Sequence, residues 1–466
     1  MKKSVIYKTA LVPVLLFSLQ SCFVAREYQR PAAVDESLYR TDQLPEDSLT
    51  IAEISWEELF TDTQLASHIR DGMENNIDIR IALQNIVSAE AYYMQGKAGN
   101  LPVIGANAQV THQQLAKNSQ FGSFFSGALN QYELTGNLSW EADIWGRIRS
   151  NKRALEASYL QSVAAHKAVK TELIANIASL YYQLLSLDEQ QRITKQTIAN
   201  RESSLETTKA LKDAGNVSEV AVKQTEAQLY TARALLVDIE KNIKLLENTM
   251  SILLGKAPQD IARTSLQEQV LNPELNTGFP LQLLRNRPDV IAAEYGLINA
   301  FELTNVARSN FYPSLTISGT GGLQSLQLDQ LFSVNSLFAT VVGGLAQPVL
   351  NGRRIRTQYE VAQSQQEVAF LNFRQAILNA GREVSDALYS YKAAEETIEI
   401  KSLEFAAYDT ASSYSEELLN SGFANYLEVL TARENALNSQ LGLINARFNR
   451  LNSVVELYRA LGGGWQ

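Results

Sequence analysis

Long apolar runs are missing from this chain. Its best candidate, 10-ALVPVLLFSL-19, is about ten residues, and nothing else approaches the roughly 18 of a membrane-spanning helix. A helical membrane protein is therefore excluded. Histidine is scarce: His68, His112 and His166 are the only three, and none sits in an H-E-x-x-H spacing. There is no G-x-S-x-G and no Walker loop, and Gly319, Gly321 and Gly322 do not complete G-x-G-x-x-G. No catalytic, cofactor-binding or metal-binding residue is expected, and an enzyme is not. Excess positive charge is absent too. A formal net charge of −9 argues against a nucleic-acid partner. With 45% apolar and 20% charged residues, the chain is not disordered.

The single cysteine, Cys22, is informative by position. Lys2, Lys3 and Lys8 precede the short apolar run, the pattern of a signal peptide over 1–21. Leu19-Gln20-Ser21-Cys22 resembles a bacterial lipobox, although Gln20 is an unusual occupant. Cleavage before Cys22 would leave a lipidated cysteine, bearing palmitate as in a lipoprotein. A lipidated, extended segment is expected over 22–55.

Glycine and proline, where they are absent, mark long helices. Between Ile148 and Leu211 neither occurs. Val169, Leu173, Ile177, Leu180, Leu184 and Leu187 run mostly in steps of four and three, the spacing of a coiled-coil seam. Such a helix extends about 95 Å at 1.5 Å per residue, more than a compact core needs. Leu229, Ala232, Leu236, Ile239, Ile243, Leu246, Met250 and Leu253 form a second seam; Leu437, Leu441, Ile444, Phe448, Leu451, Val455 and Tyr458 form a third.

The seams belong to an internal repeat. Gly215 and Gly422, each alone between helical runs, lie 207 residues apart. At that offset Arg147, Tyr182 and Gly255 fall on Arg354, Tyr389 and Gly462. Upstream the offset is 211, placing Asp78, Ala89 and Pro102 on Asp289, Ala300 and Pro313. The change lies between Pro102 and Arg147, where a loop absorbs it cheaply. Repeats are expected at 56–255 and 281–466, joined by a linker at 256–280.

Each repeat opens with a helix, followed by two runs of period two. Ile104, Ala106, Ala108 and Val110 alternate in one run; Leu134, Gly136, Leu138 and Trp140 alternate in the next. Strands are expected at 103–113, 132–142, 314–323 and 336–346, long enough for tilted membrane strands. Tyr132, Trp140 and Trp145 are candidates for an interfacial aromatic belt. A membrane sheet must close, and closed barrels need about eight strands or more. Four per chain must therefore be pooled; two copies give eight and three give twelve. The glycine turns, at 213–219 and 420–426, are expected to be the tips of two helical hairpins.

The segments 56-WEELFTDTQL-65, 284-LRNRPDVIAAE-294, 311-FYPSLTISGTGG-322, 425-NYLEVLTARENAL-437 and 457-LYRALGGGW-465 carry a specific resemblance. The chain resembles the TolC-like outer-membrane efflux channel family, also called outer membrane factors, in its lipoprotein branch. That resemblance implies a mainly α protein with a membrane β-barrel: a homotrimer, with twelve strands and a long periplasmic helical barrel of coiled-coil hairpins. It implies a passive exit duct of a tripartite system that exports small molecules such as drugs. The partners would be a periplasmic adaptor (membrane fusion) protein, an inner-membrane RND-type transporter and outer-membrane lipid. No cofactor is implied beyond the lipid on Cys22.

In the resembling family, acids six or nine residues after the second tip glycine line the periplasmic gate. Those positions here are Glu428 and Thr431, so one acid is kept. The first repeat has Ala221 and Gln224 there. Two other functions stay open: the outer component of a type I protein secretion system, and a lipid-anchored structural coiled coil of the envelope. The latter does not account for the paired strands.

Overall fold

The computed structural model describes residues 24–31, 38, 50–119, 128–269 and 282–465. Cys22 and the lipobox lie outside them. The main elements are α1 (Thr63–Asn75), α2 (Ile77–Ala98), β1 (Val103–Gln114), β2 (Ala128–Ala142), α3 (Arg147–Asp213) and α4 (Glu219–Leu253). The second half adds α5 (Pro288–Ser309), β3 (Ser314–Ser325), β4 (Leu337–Ala346), α6 (Arg354–Asn420) and α7 (Tyr426–Ala460).

The repeat is exact in its lengths. Helices α2 and α5 have 22 residues each, α3 and α6 have 67, and α4 and α7 have 35. Strands β1 and β3 have 12 each, whereas β2 has 15 and β4 has 10. From α2 and α5 onward the two copies thus diverge in length only beyond β1 and β3, inside the interval expected for the change of offset. β2 starts four residues earlier than its alternation suggests, because Ala128–Gln131 pairs with β1 without alternating hydrophobicity.

Two compact units divide the described chain. Residues 24–31, 87–161 and 293–373 make the first. It holds one antiparallel sheet in the order β1-β2-β3-β4. Arg153 of α3 binds Glu302 of α5 at 2.6 Å, and Arg30 binds Glu294 of α5 at 2.5 Å, which straps the segment 24–31 to that helix.

The second unit comprises 50–86 with Leu38, 162–292 and 374–465, as far as these are described. The heptad positions make its core. Leu173, Ile177 and Leu184 of α3, Ile239 and Met250 of α4, and Leu451, Val455 and Tyr458 of α7 are all buried. Burial of such a stripe, rather than helix propensity, is what stabilises the helices.

One residue explains how a short helix follows another in line. The Asn76 carboxamide accepts from the Ile79 N–H at 3.1 Å, which caps α2. Its amide nitrogen donates to the Leu253 carbonyl at 2.9 Å, in the last turn of α4. The start of α2 therefore abuts the end of α4, as the helix lengths suggest. Arg287, 211 residues later, makes the same kind of bond to the Ala460 carbonyl at 3.0 Å. Burial alone would lower the Arg287 pKa; Asp289 and Glu383 outweigh it and hold the guanidinium charged.

The described part of the linker, 256–269, is fixed by side chains. Arg263 pairs with Asp188 of α3 and, at 2.7 Å, with Glu247 of α4. Tyr181 hydroxyl donates to Asp62 at 3.0 Å, and burial pushes its pKa up to about 12.

Candidate functional site

The strand register sorts side chains onto two faces. Ile104 lies opposite Leu138, Ala106 opposite Gly136, and Ala108 opposite Leu134. The row continues through Leu138–Gly319 and Leu134–Leu323 to Gly319–Val341 and Leu323–Leu337. Directly paired residues share a face. One face of all four strands is thus apolar, with Ile104, Val341 and Leu345 each at least 70% exposed. The opposite face carries Asn107, Gln109, Glu133, Asn137, Thr320 and Gln324. Thr320 hydroxyl donates to Asn137 at 3.0 Å and Gln324 donates to Glu133 at 3.0 Å. β1 and β4 are edges, each with one side unpaired among the described residues.

The three aromatics expected in a belt occupy two places. Tyr132 lies in the first half of β2. Trp140, near its end, donates its indole N–H to the Asn100 carbonyl at 2.9 Å. Trp145 is past the strand, stacked on Tyr312 at 4.9 Å and bound to the Pro313 carbonyl at 2.7 Å.

Both tips are built alike. Gly215 has φ +81° and Gly422 has φ +77°, a region that favours glycine. Asn216 N–H donates to the Leu211 carbonyl at 2.8 Å, and Gly215 N–H to that of Lys212 at 2.9 Å. Phe423 and Gly422 repeat both bonds, to Leu418 and Leu419. This is the Schellman closure, which satisfies carbonyls left over at the helix end.

The helices that leave the tips start differently. Ser218 makes no side-chain cap on α4. Asn425 accepts from the Glu428 N–H at 3.1 Å and returns a bond to the Glu428 carboxylate at 2.8 Å. Glu428 and Thr431 are both exposed, whereas Ala221, the counterpart of Glu428, is buried. The structure thus gives Glu428 a capping role and leaves its second carboxylate oxygen free for solvent. Thr431 hydroxyl is turned back to the Leu427 carbonyl at 2.9 Å.

Sequence reasoning did not find the ties that hold α7. Arg201 of α3 is buried and donates to the Gln228 carbonyl at 2.5 Å and to Glu434 at 2.6 Å, linking three helices. Tyr426 hydroxyl lies 2.7 Å from Thr225 Oγ1. Arg433 binds Glu416 of α6 at 2.6 Å and also Ser204 of α3. The partners in the Arg201–Glu434 tie are 233 residues apart, so no local pattern announces them. Among the described residues no group of three potential ligands could hold a metal.

A sheet apolar on one face and polar on the other, in one chain with coiled-coil hairpins, defines an outer-membrane channel with a periplasmic helical part. Comparison with known proteins identifies which kind. The outer membrane efflux protein family matches at 69–256 and again at 280–463, one match per repeat. The chain is 30% identical over 458 residues to the solvent efflux pump outer membrane protein SrpC of Pseudomonas putida, covering 97% of each. It is 26% identical over 454 residues to the cation efflux system protein CusC of Escherichia coli O6:H1, covering 96% of this chain and 97% of that protein. Among solved structures, a membrane protein from Pseudomonas aeruginosa superposes with a TM-score of 0.87 at 26% identity, covering 95% of this chain and all of that one. CusC gives 0.82 at 26% identity with the same coverage. The chain belongs to the outer membrane efflux protein family, and it is an outer-membrane exit channel for efflux.

Proposed function

We propose that three copies of this chain close one twelve-stranded barrel and form the exit duct of a tripartite pump for small molecules. The observation that carries this is the open four-stranded sheet. Its apolar face and two free edges require partners in hydrocarbon, because unpaired backbone groups there cost several kcal/mol each. The polar face then lines the lumen. The pump's other parts are a periplasmic adaptor, which meets the tips around Gly215 and Gly422, and an inner-membrane transporter of the RND type. The relatives' names favour small molecules over secreted proteins, since they refer to solvent and cation efflux.

The test is the mass of the assembly in mild detergent. A trimer is expected; a monodisperse monomer refutes the reading.

Within that trimer, the tip of the second hairpin is the gate. Glu428 has a carboxylate oxygen free on an exposed turn, and three copies would face one axis. Their mutual repulsion favours cations and disfavours anions. In planar bilayers, divalent cations added from the tip side are expected to block wild type more than Glu428→Gln. Equal block removes Glu428 from the gate. Thr431 occupies the second position of the constriction without charge. Cys22 carries the lipid: a fatty-acid analogue is expected to label wild type, and labelling that persists in Cys22→Ala ends that assignment.

A further inference from the structure

The joint between the last strand of a repeat and its long helix is built twice, with different chemistry. At the 207-residue offset, Glu141, Asp143, Gly146, Arg147 and Arg149 fall on Pro348, Leu350, Arg353, Arg354 and Arg356. In the first joint each arginine is answered. Arg147 binds Glu141 at 2.5 Å, and Arg149 binds Asp143 at 3.1 Å. The Asp143 carboxylate also accepts the Ile148 and Arg149 N–H groups at 2.9 Å each, capping α3.

The second joint has lost both acids and gained a cation. Leu350 stands where the capping carboxylate was and is 96% exposed, with Val349 beside it at 91%. Arg353 takes the place of Gly146 and keeps its left-handed backbone, φ +68° against +79°. It is the only non-glycine residue at positive φ among those described. A side chain held in that strained region invites a functional explanation. Arg353 and Arg356 share Glu360, one turn on, at 3.0 and 3.1 Å. Arg354 forms no ion pair among the described residues. It lines a cavity of about 330 Å³ together with the stacked pair Trp145 and Tyr312. The acids of that cavity, Glu141 and Asp143, are already engaged by Arg147 and Arg149.

Two bare aliphatic side chains, then cations, beside an aromatic pair, at the point where a membrane strand ends: each part matches a layer of the lipid interface. Aliphatic groups enter the acyl boundary, aromatic rings sit at headgroup level, and arginines meet phosphate. We propose that the turn 349–354 is seated in the periplasmic leaflet and that Arg354 binds the phosphate of an anionic phospholipid. The inference rests on the outer-membrane placement of the sheet. It goes beyond that placement by giving the second repeat a lipid site that the first lacks. Charge complementarity and continuity with the apolar face of β4 choose lipid as the occupant over a second copy of the chain.

The experiment uses the full assembly in mixed-lipid nanodiscs, with co-purified phosphatidylglycerol and phosphatidylcholine counted per chain. Wild type is expected to retain phosphatidylglycerol about fivefold over its share, the preference of one unpaired cation near the surface. Arg354→Gln is expected to bring retention to parity. Arg149→Gln, at the answered position of the first joint, is expected to leave it unchanged. Pro348→Glu restores the carboxylate that answers the matching arginine, Arg147, in the first joint and is expected to act like Arg354→Gln. No preference in wild type, or the same preference in Arg354→Gln, overturns the proposal. So does dissociation of the assembly by Leu350→Asp with lipid preference intact, which would make this face a contact between copies. Failure of the membrane placement itself is read separately, as wild-type chain missing from the outer-membrane fraction.

Discussion

The two repeats share a scaffold and differ at their ends. The lengths of α2, α3 and α4 match those of α5, α6 and α7 to the residue, both tips close with the same pair of bonds, and Asn76 and Arg287 both reach the carbonyl at the end of the stacked helix. The differences fall at one tip, one strand joint and one core position. Glu434, which holds the buried Arg201, has Ala227 as its counterpart, and Arg201 itself has Tyr408. Arg433 and Glu416 correspond to Glu226 and Lys209, so the signs are exchanged. Glu247, buried with Arg263, corresponds to the buried Val454. A duplicated unit keeps what packs and varies where the copies must act differently. Here the variation loads the return helix of the second hairpin with ties that the first does not have.

The largest effect is expected at the shared joint. Arg287→Ala removes a buried cation from Glu383 and Asp289 and is expected to cost about 3 kcal/mol. Asn76→Ala, at the same place in the first repeat, loses neutral hydrogen bonds worth about 1 kcal/mol. Thermal unfolding of the two variants should rank them in that order; equal losses would mean that the ion pairs add nothing to the carbonyl bond.

A smaller effect is expected at the tips. Glu434→Ala leaves Arg201 buried without its carboxylate, a cost of about 2 kcal/mol because Glu434 is partly exposed. The tie that holds α7 to α3 and α4 is lost, so single-channel recordings should show a raised resting conductance. Glu226→Gln should leave conductance unchanged, because that carboxylate pairs with Lys223 on its own helix. Unaltered conductance in Glu434→Ala would make the asymmetry structural only.

The smallest effect is the pH dependence contributed by Glu247 of the first repeat. Burial pushes the Glu247 pKa up, but hydrogen bonds from Arg263 and Lys244 more than reverse this and hold it below the ordinary 4.5. The unfolded chain then binds the proton more readily than the folded one. The stabilisation is present above pH 4.5 and is lost as pH falls through the lowered folded value. Glu247→Gln should flatten the acid limb of a stability–pH curve measured by unfolding midpoint. An unchanged limb places the acid sensitivity elsewhere, for instance in Asp62.

Much of this was legible in the residues. Heptads, alternation and a fixed offset are periodic signals, and they located the hairpins, the strands and the repeat. Alternation fell short most at Ala128–Gln131, and by two residues at Gln324–Ser325, where the backbone pairs without an apolar face to mark it. The capping of α7 was present as Asn425 followed three residues later by Glu428, a spacing that signals a helix start. Its bonding was missed because Glu428 drew attention as a charge. Arg201 with Glu434, and Arg287 with Glu383, were invisible for a different reason. Their partners come together only when distant helices pack, and charged residues on a helix ordinarily face solvent.

The two strand edges left unpaired among the described residues also set the tempo of biogenesis. A barrel folded from a single chain closes at a rate independent of how many copies surround it. A barrel pooled from several chains waits on encounters, and subunit assembly is concentration-dependent. The helical hairpins depend on local contacts and form quickly. Until the barrel closes, the β1 and β4 edges lie raw beside an apolar face, the arrangement that templates edge-to-edge aggregation. Raising expression cuts both ways: it shortens the wait for closure and multiplies the collisions that end in tangled edges.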